Sequence, residues 1–236
     1  MKGLFENALT KPSLSFNMLN VDDLFAGFAM GDFAVLHGTS SILSLSSLLA
    51  VRAQLPLQLG GLGTRVVFVD GGNTFRLYEV SRIAQMHQLD PRKVLERIYV
   101  SRAFTAYQMT FLILQKLKDT TQRFNSNFVL ISDIAGLFLD KDVPIREAKE
   151  VFNQLTLYLS KFAEENQLIV LATCPSRNSK RDSFFRETAC GRANVVLSVR
   201  PFKLGQSLVL QKHQSLCLGY AEFPSQSLTL DQFLEG

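Results

Sequence analysis

The sequence predicts an α/β fold: a mostly parallel central sheet flanked by helices, with antiparallel edge strands at the C-terminal end. Three observations point to it, namely short runs that are apolar at nearly every position, amphipathic helical stretches between them, and a change of pattern after Gly191. Strands apolar on both faces belong inside a sheet covered by helices on either side. Such runs stand at 33–37 (FAVLH), 65–69 (RVVFV), 127–132 (NFVLIS) and 167–172 (QLIVLA). Between the first two, apolar periodicity predicts a helix over 42–54. A second helix over 76–87 carries Leu77, Val80, Ile83 and Ala84, and Asp90 then caps a short helix with Pro91 in its first turn. The stretch 146–164 is the most amphipathic, with Ala148, Val151, Phe152, Leu155, Leu159 and Phe162 on one face. VVLSVRPF, SLVLQKH and LCLGYAEF follow as a predicted antiparallel meander on the sheet's edge.

A chain of 236 residues, 47% apolar and 19% charged, can bury a full core, and its length suits one large domain over 21–236 behind an N-terminal arm, 1–20. No apolar run reaches the roughly 18 residues a membrane span needs, and MKGLFENALTKPS lacks the apolar centre of a secretory signal. A cytoplasmic location is therefore expected. Cys174, Cys190 and Cys217 are too few and too scattered for a disulfide framework, and no CxxC pair suggests zinc. His37, His87 and His213 have no spacing suited to a metal or a nucleophile and read as structural. The net charge of +4 hints at an anionic partner, and where that charge sits matters more than its sum.

Residues 31–51, GDFAVLHGTSSILSLSSLLAV, have the layout of a strand, a phosphate-binding loop and a helix. Yet no lysine or arginine stands between Lys11 and Arg52. A working loop of the form G-x-x-x-x-G-K-S/T needs glycines so that backbone N–H groups can wrap phosphate, a lysine on the β/γ-phosphates and a hydroxyl on Mg²⁺. Of these only Gly38 is present. Thr39, Ser40 and Ser41 could hold an anion at a helix N-terminus or serve simply as a hydroxyl-rich cap.

Taken in order, GDFAVLHG, LLAVRAQLP with the glycine turn LGGLGT, VFVDGGNTFR, LDPRKVLERIYVSRAFTAYQ and FVLISDIAGLF resemble the RecA/RadA family of strand-exchange recombinases. The resemblance covers nearly the whole chain, apart from the small N-terminal helical domain of archaeal and eukaryotic members, for which the chain has no room. SRAFTAYQ at 101–108 is its most specific segment, since generic P-loop ATPases lack it. The implied fold is the RecA-like P-loop ATPase core. Counting forward from Gly38 puts Leu43, Ser44 and Leu45 at the family's Gly-Lys-Thr; counting back from LLAVRAQLP puts Ser41, Ile42 and Leu43 there, with a loop two residues shorter. Both registers lack the lysine. After Asp70, the family's water-polarising glutamate corresponds to Gly72, and its Asn-Gln phosphate sensor corresponds to Thr173 and Cys174. Asp133 matches the aspartate that supports Mg²⁺ in the family and is retained. Loss of one group of this kind typically costs on the order of 10² to 10³ in rate, so the resemblance implies a pseudo-ATPase with no catalytic residue and no bound cofactor.

The segment 175–192, PSRNSKRDSFFRETACGR, falls where the recombinases carry their second DNA-binding loop. It reads as a mobile basic loop in which Arg177, Lys180, Arg181, Arg186 and Arg192 meet phosphate while Phe184 and Phe185 stack on bases. The place of the first DNA loop, LDKDVPIRE at 139–147, carries as much acid as base. Phe5 and Ala8 fit the F-x-x-A pattern by which family members dock onto a neighbouring protomer. The function expected is that of a non-catalytic recombinase paralogue that binds DNA, single-stranded by preference, or a recombinase, and assists homologous recombination or repair; DNA binding would make it nucleoid-associated. Two alternatives remain at this stage. One is a divergent RecA/KaiC-like ATPase that takes ATP and Mg²⁺ with a cation borrowed from a neighbouring subunit, and the other is a KaiC-like scaffold or signalling module.

Overall fold

A computed structural model describes residues 12–203 and 205–224. The chain runs through β1 (Ser13–Leu14), α1 (Leu19–Leu24), β2 (Phe28–Ala29), β3 (Phe33–Gly38), α2 (Ser41–Arg52), β4 (Val66–Asp70), α3 (Leu77–Met86), α4 (Pro91–Glu96) and β5 (Ile98–Arg102). It continues through α5 (Ala106–Phe111), a π-helical turn, α6 (Leu117–Phe124), β6 (Phe128–Ser132), α7 (Ile145–Asn166), β7 (Ile169–Pro175), α8 (Lys180–Arg192), β8 (Val195–Phe202), β9 (Gly205–Lys212) and β10 (Gly219–Pro224). Eight strands form one sheet in the order β10-β9-β8-β3-β7-β6-β4-β5. The four apolar runs become its parallel centre, and each is buried along nearly its whole length because helices cover both faces.

Alternate strand residues feed two cores. Ala34, Leu36, Val66, Phe68, Leu130 and Leu171 face α2 and α3, whereas Phe33, Val35, Val67, Val129 and Val170 face α5, α7 and α8. Asp90 caps α4 as expected, its carboxylate accepting from the Arg92 amide at 2.9 Å. The C-terminal meander pairs as expected, β8 with β9 and β9 with β10 both antiparallel, and β8 also extends the parallel sheet beside β3 because α8 carries the chain across before β8 begins. β5, an edge strand alternating buried and exposed positions, went unassigned in the sequence.

The boundary placed at residue 20 also shifts. Ser13–Leu14 pairs with Phe28–Ala29, and Leu14, Phe16 and Val21 are buried, with the Phe16 ring 5.7 Å from Phe28. Residues from 13 onward are thus part of the core. They are tied down by Arg52, which is 1% exposed and donates from Nε to the Ser15 carbonyl at 2.7 Å and from Nη2 to the Leu59 carbonyl at 2.8 Å. Among the described residues no helix is long and apolar enough to cross a membrane.

Replacing Arg52 with Ala strands two buried carbonyls and opens a cavity, and should lower stability by about 3 kcal/mol, read from the urea midpoint. Burial pushes the Asp22 carboxyl from 3.8 up to about 6 despite the nearby Arg52 charge, so between those values the folded chain holds a proton that the unfolded chain has lost. Stability should therefore fall as pH rises from about 4 to about 6, and Asp22→Asn should flatten that part of the profile in paired denaturation curves.

Candidate nucleotide and nucleic-acid site

In open parallel sheets, ligands gather at the carboxyl ends of the strands. Here that edge brings together Gly38 at the end of β3, Asp70 at the end of β4, Asp133 just after β6 and Cys174 in β7; Gly38 lies opposite Pro175 and Asp70 opposite Ser132. The residues singled out along the sequence do converge on one edge. Only Thr39 and Ser40 separate β3 from α2, so the connection follows the shorter of the two registers. Its hydroxyls are engaged from across the sheet. Gln206, on β9, accepts from Thr39 Oγ1 at 3.1 Å and donates through Nε2 to Ser41 Oγ. The Ser40 side chain makes no cap hydrogen bond. Ile42 is wholly buried and Leu43 packs on the same core, while Ser44 lies half-buried along α2.

Gly38 is held at φ +125°, and a Cβ there would collide with the Val199 carbonyl, so the strand end needs glycine. Gly72, which is exposed, is constrained by its side-chain neighbours. A Cβ on it would stand 2.8 Å from Asp133 Cβ and 2.8 Å from Thr74 Cγ2, so a side chain there requires its neighbours to shift.

Asp133, 3% exposed and at φ +49°, donates its backbone amide to Thr173 Oγ1 at 3.0 Å. Its carboxylate is gripped by both terminal nitrogens of Arg177, with Nη1 donating to Oδ1 at 2.9 Å and Nη2 to Oδ2. A two-pronged guanidinium–carboxylate pair is among the stronger polar contacts in proteins, and here it neutralises a charge that burial alone would make costly. The Asp133 carboxylate raises the Arg177 guanidinium above its ordinary range, so the arginine stays charged. Arg177 also donates its backbone amide to Asp182 Oδ2 at 3.1 Å.

Asp70 is satisfied in the same internal way. Burial raises its carboxyl, but the Thr74 amide, the Ser132 hydroxyl, the Phe75 amide and the Arg102 guanidinium at 3.2 Å outweigh that and hold it below its ordinary range. Burial drives the Cys174 thiol well up, so it stays protonated and is at most a weak donor.

The basic segment is not a loop. Residues 180–192 form α8, capped by Ser179 Oγ accepting from the Asp182 amide at 3.0 Å. Phe185 is fully buried against Phe138 and Phe152, and Phe184 packs on the same core beneath the Lys149 ammonium, 4.2 Å from the ring centre. Arg181 is spent on the Phe138 and Val143 carbonyls, both at 2.9 Å, and Arg186 on Asp182 at 2.8 Å. Of the seven DNA-contact residues read from the sequence, Arg177, Lys180 and Arg192 are exposed, and the Arg177 guanidinium is already engaged by Asp133. Phe185 and Ala189, four positions apart, give the segment its buried face, and Ser179-x-x-Asp182 was its readable helix start. Phe5 and Ala8 lie outside the described residues.

The Rad51 family pattern matches residues 20–187. The chain belongs to the Rad51 family. A DNA repair and recombination protein, RadA, from Cenarchaeum symbiosum (strain A) is 31% identical over 140 residues, which cover 58% of this chain and 35% of that protein. This Rad51-family chain thus spans well under half of that relative's length.

Removing either partner of the Arg177–Asp133 pair should be costly. Arg177→Ala should destabilise by roughly 2 kcal/mol, below the usual cost of breaking a buried pair because the Arg177 side chain is 38% exposed. Adding Asp133→Asn should recover part of the loss, measured as a double-mutant cycle in urea. Restoring a glutamate at Gly72 should lower the Tm rather than create a working site, because its Cβ collides with Asp133.

Proposed function

We propose that this chain is a non-catalytic Rad51-family paralogue that binds DNA, single-stranded by preference, or a recombinase of its own family, and assists homologous recombination or repair without hydrolysing ATP. The observation that carries the reading is Arg177 seated on Asp133 within a chain of this family. A guanidinium from the chain itself stands where a carboxylate would otherwise meet a hydrated cation. A Mg²⁺–triphosphate does not fit the neighbouring residues. The two-residue connection after Gly38 offers no cation, the Thr39 and Ser41 hydroxyls are bound by Gln206, and Gly72 has no side chain with which to orient water.

What remains suits phosphate contact more than base stacking, since Phe185 is core while Lys180 and Arg192 are exposed at the two ends of α8. Contacts of that kind position a protein on a strand with little regard to sequence and weaken as counterions compete. A recombinase partner reached through Phe5 and Ala8 belongs to the same proposal.

Single-stranded DNA should be retained without nucleotide at about 50 mM salt and released by about 500 mM. Joint Lys180→Glu and Arg192→Glu substitution should abolish retention while leaving the Tm unchanged. Equal retention at both salt concentrations, or none at either, contradicts the DNA half of the proposal.

A further inference from the structure

We infer that the amino edge of the sheet, at the corner where β4, β5 and the end of α6 meet, is a docking surface for an acidic segment of another protein, read by Arg65, Arg97 and Arg123. This edge lies at the opposite end of the strands from Gly38, Asp70 and Asp133. The pairing of Val66 with Ile98 sets Arg65 and Arg97 side by side, each just before the first paired residue of its strand. Arg97 donates from Nη2 to the Gly63 carbonyl at 3.1 Å, and Arg65 reaches the Phe124 carbonyl, at the end of α6, over a long 3.4 Å. Arg123 lies over the Phe124 ring, 5.3 Å from its centre. Three guanidinium groups thus converge on one corner, and Lys93, exposed one helical turn before Arg97, adds a further cation.

The corner holds positive charge with no acid to balance it. Among the described residues none of the three arginines makes an ion pair; their contacts are carbonyl oxygens and a ring. Acids do stand near them in the sequence. Glu96, next to Arg97, is paired instead with Arg92 at 3.2 Å, and Asp119, one turn before Arg123 on α6, makes no ion pair with it. The Nε of Arg97, a half-buried residue, is itself buried and has no hydrogen-bond partner among the described residues, an arrangement that buried donors seldom adopt. Like charges held side by side on neighbouring strands repel, so an anion seated between them is stabilising.

The chemistry favours carboxylates. A guanidinium fork takes a carboxylate through two parallel bonds, so a peptide segment rich in aspartate or glutamate answers this spacing. A nucleic-acid strand fits less well. The rings that could carry a base, Tyr99 and Phe124, are stacked on each other, 3.5 Å between centres and 12° between planes, and the arginines form a compact corner rather than a track for successive phosphates. The surface is separate from the DNA and recombinase contacts proposed above and does not depend on them. The test is fluorescence anisotropy of a dye-labelled oligoglutamate peptide with the full chain at low salt. Saturable binding should weaken at least ~10-fold on joint Arg65→Gln and Arg97→Gln substitution with little change in Tm, and should be unaffected by Lys180→Glu with Arg192→Glu. Arg123→Gln, at an exposed helical position, reads a smaller loss in the same direction if the double variant fails to fold. Unlabelled oligothymidylate of equal charge should displace the peptide poorly. Absence of saturable binding, binding that survives all three arginine substitutions, or binding lost instead with the α8 pair overturns the inference. Oligothymidylate that displaces the peptide as well as unlabelled oligoglutamate does also overturns it, by making the corner a nucleic-acid surface.

Discussion

The carboxyl edge of the sheet depends on the pairing of Arg177 with Asp133. Asp133 is almost completely buried in a left-handed turn between Gly72 and Gly136, either of which would collide with it if it carried a Cβ. A carboxylate so placed requires a cation or several strong donors, because an unpaired buried charge is far more costly than a lost contact. Arg177 supplies the cation, and its position is set in turn by Asp182, which accepts its backbone amide, anchors Arg186 and closes the first turn of α8 through Ser179. One ion pair thereby joins the end of β6 to the start of α8. It also fixes the segment from which α8 crosses to β8.

This arrangement explains why the residues after β7 are folded rather than free. The segment's arginines were read as a surface awaiting an anion, yet most have carboxylates or carbonyls of the same chain as partners. The same holds at the other strand ends. Gln206 reaches from β9 to bind the hydroxyls after Gly38, and Ser132 and Arg102 bind Asp70. At the edge where a parallel sheet ordinarily leaves groups for a ligand, these side chains already have partners within the chain.

The central strands and α2, α3, α4 and α7 were legible because burial on both faces, or on one, leaves a direct periodic trace in the chain. β5 was not, since an edge strand such as Ile98–Arg102 alternates weakly and lies within a segment rich in charge. α8 was missed because thirteen residues carry only Phe185 and Ala189 as fully buried apolar positions, among four basic side chains. Its capping pair, Ser179 and Asp182, was nevertheless there to be read. Family membership was legible from motif order. The pairings that close the site were not, because Arg177 lies 44 residues from Asp133 and Gln206 lies 165 from Ser41, and no local pattern reports contacts so remote.

The proposal rests on Arg177 seated on Asp133 and on the absence of a lysine after Gly38, which together disfavour a magnesium-bound triphosphate. The most direct measurement is the Tm of the wild-type chain with and without millimolar Mg-ATP. A ligand that binds the folded state well below its working concentration must raise stability. The account predicts coincident unfolding curves, and an upward shift of several degrees would contradict it.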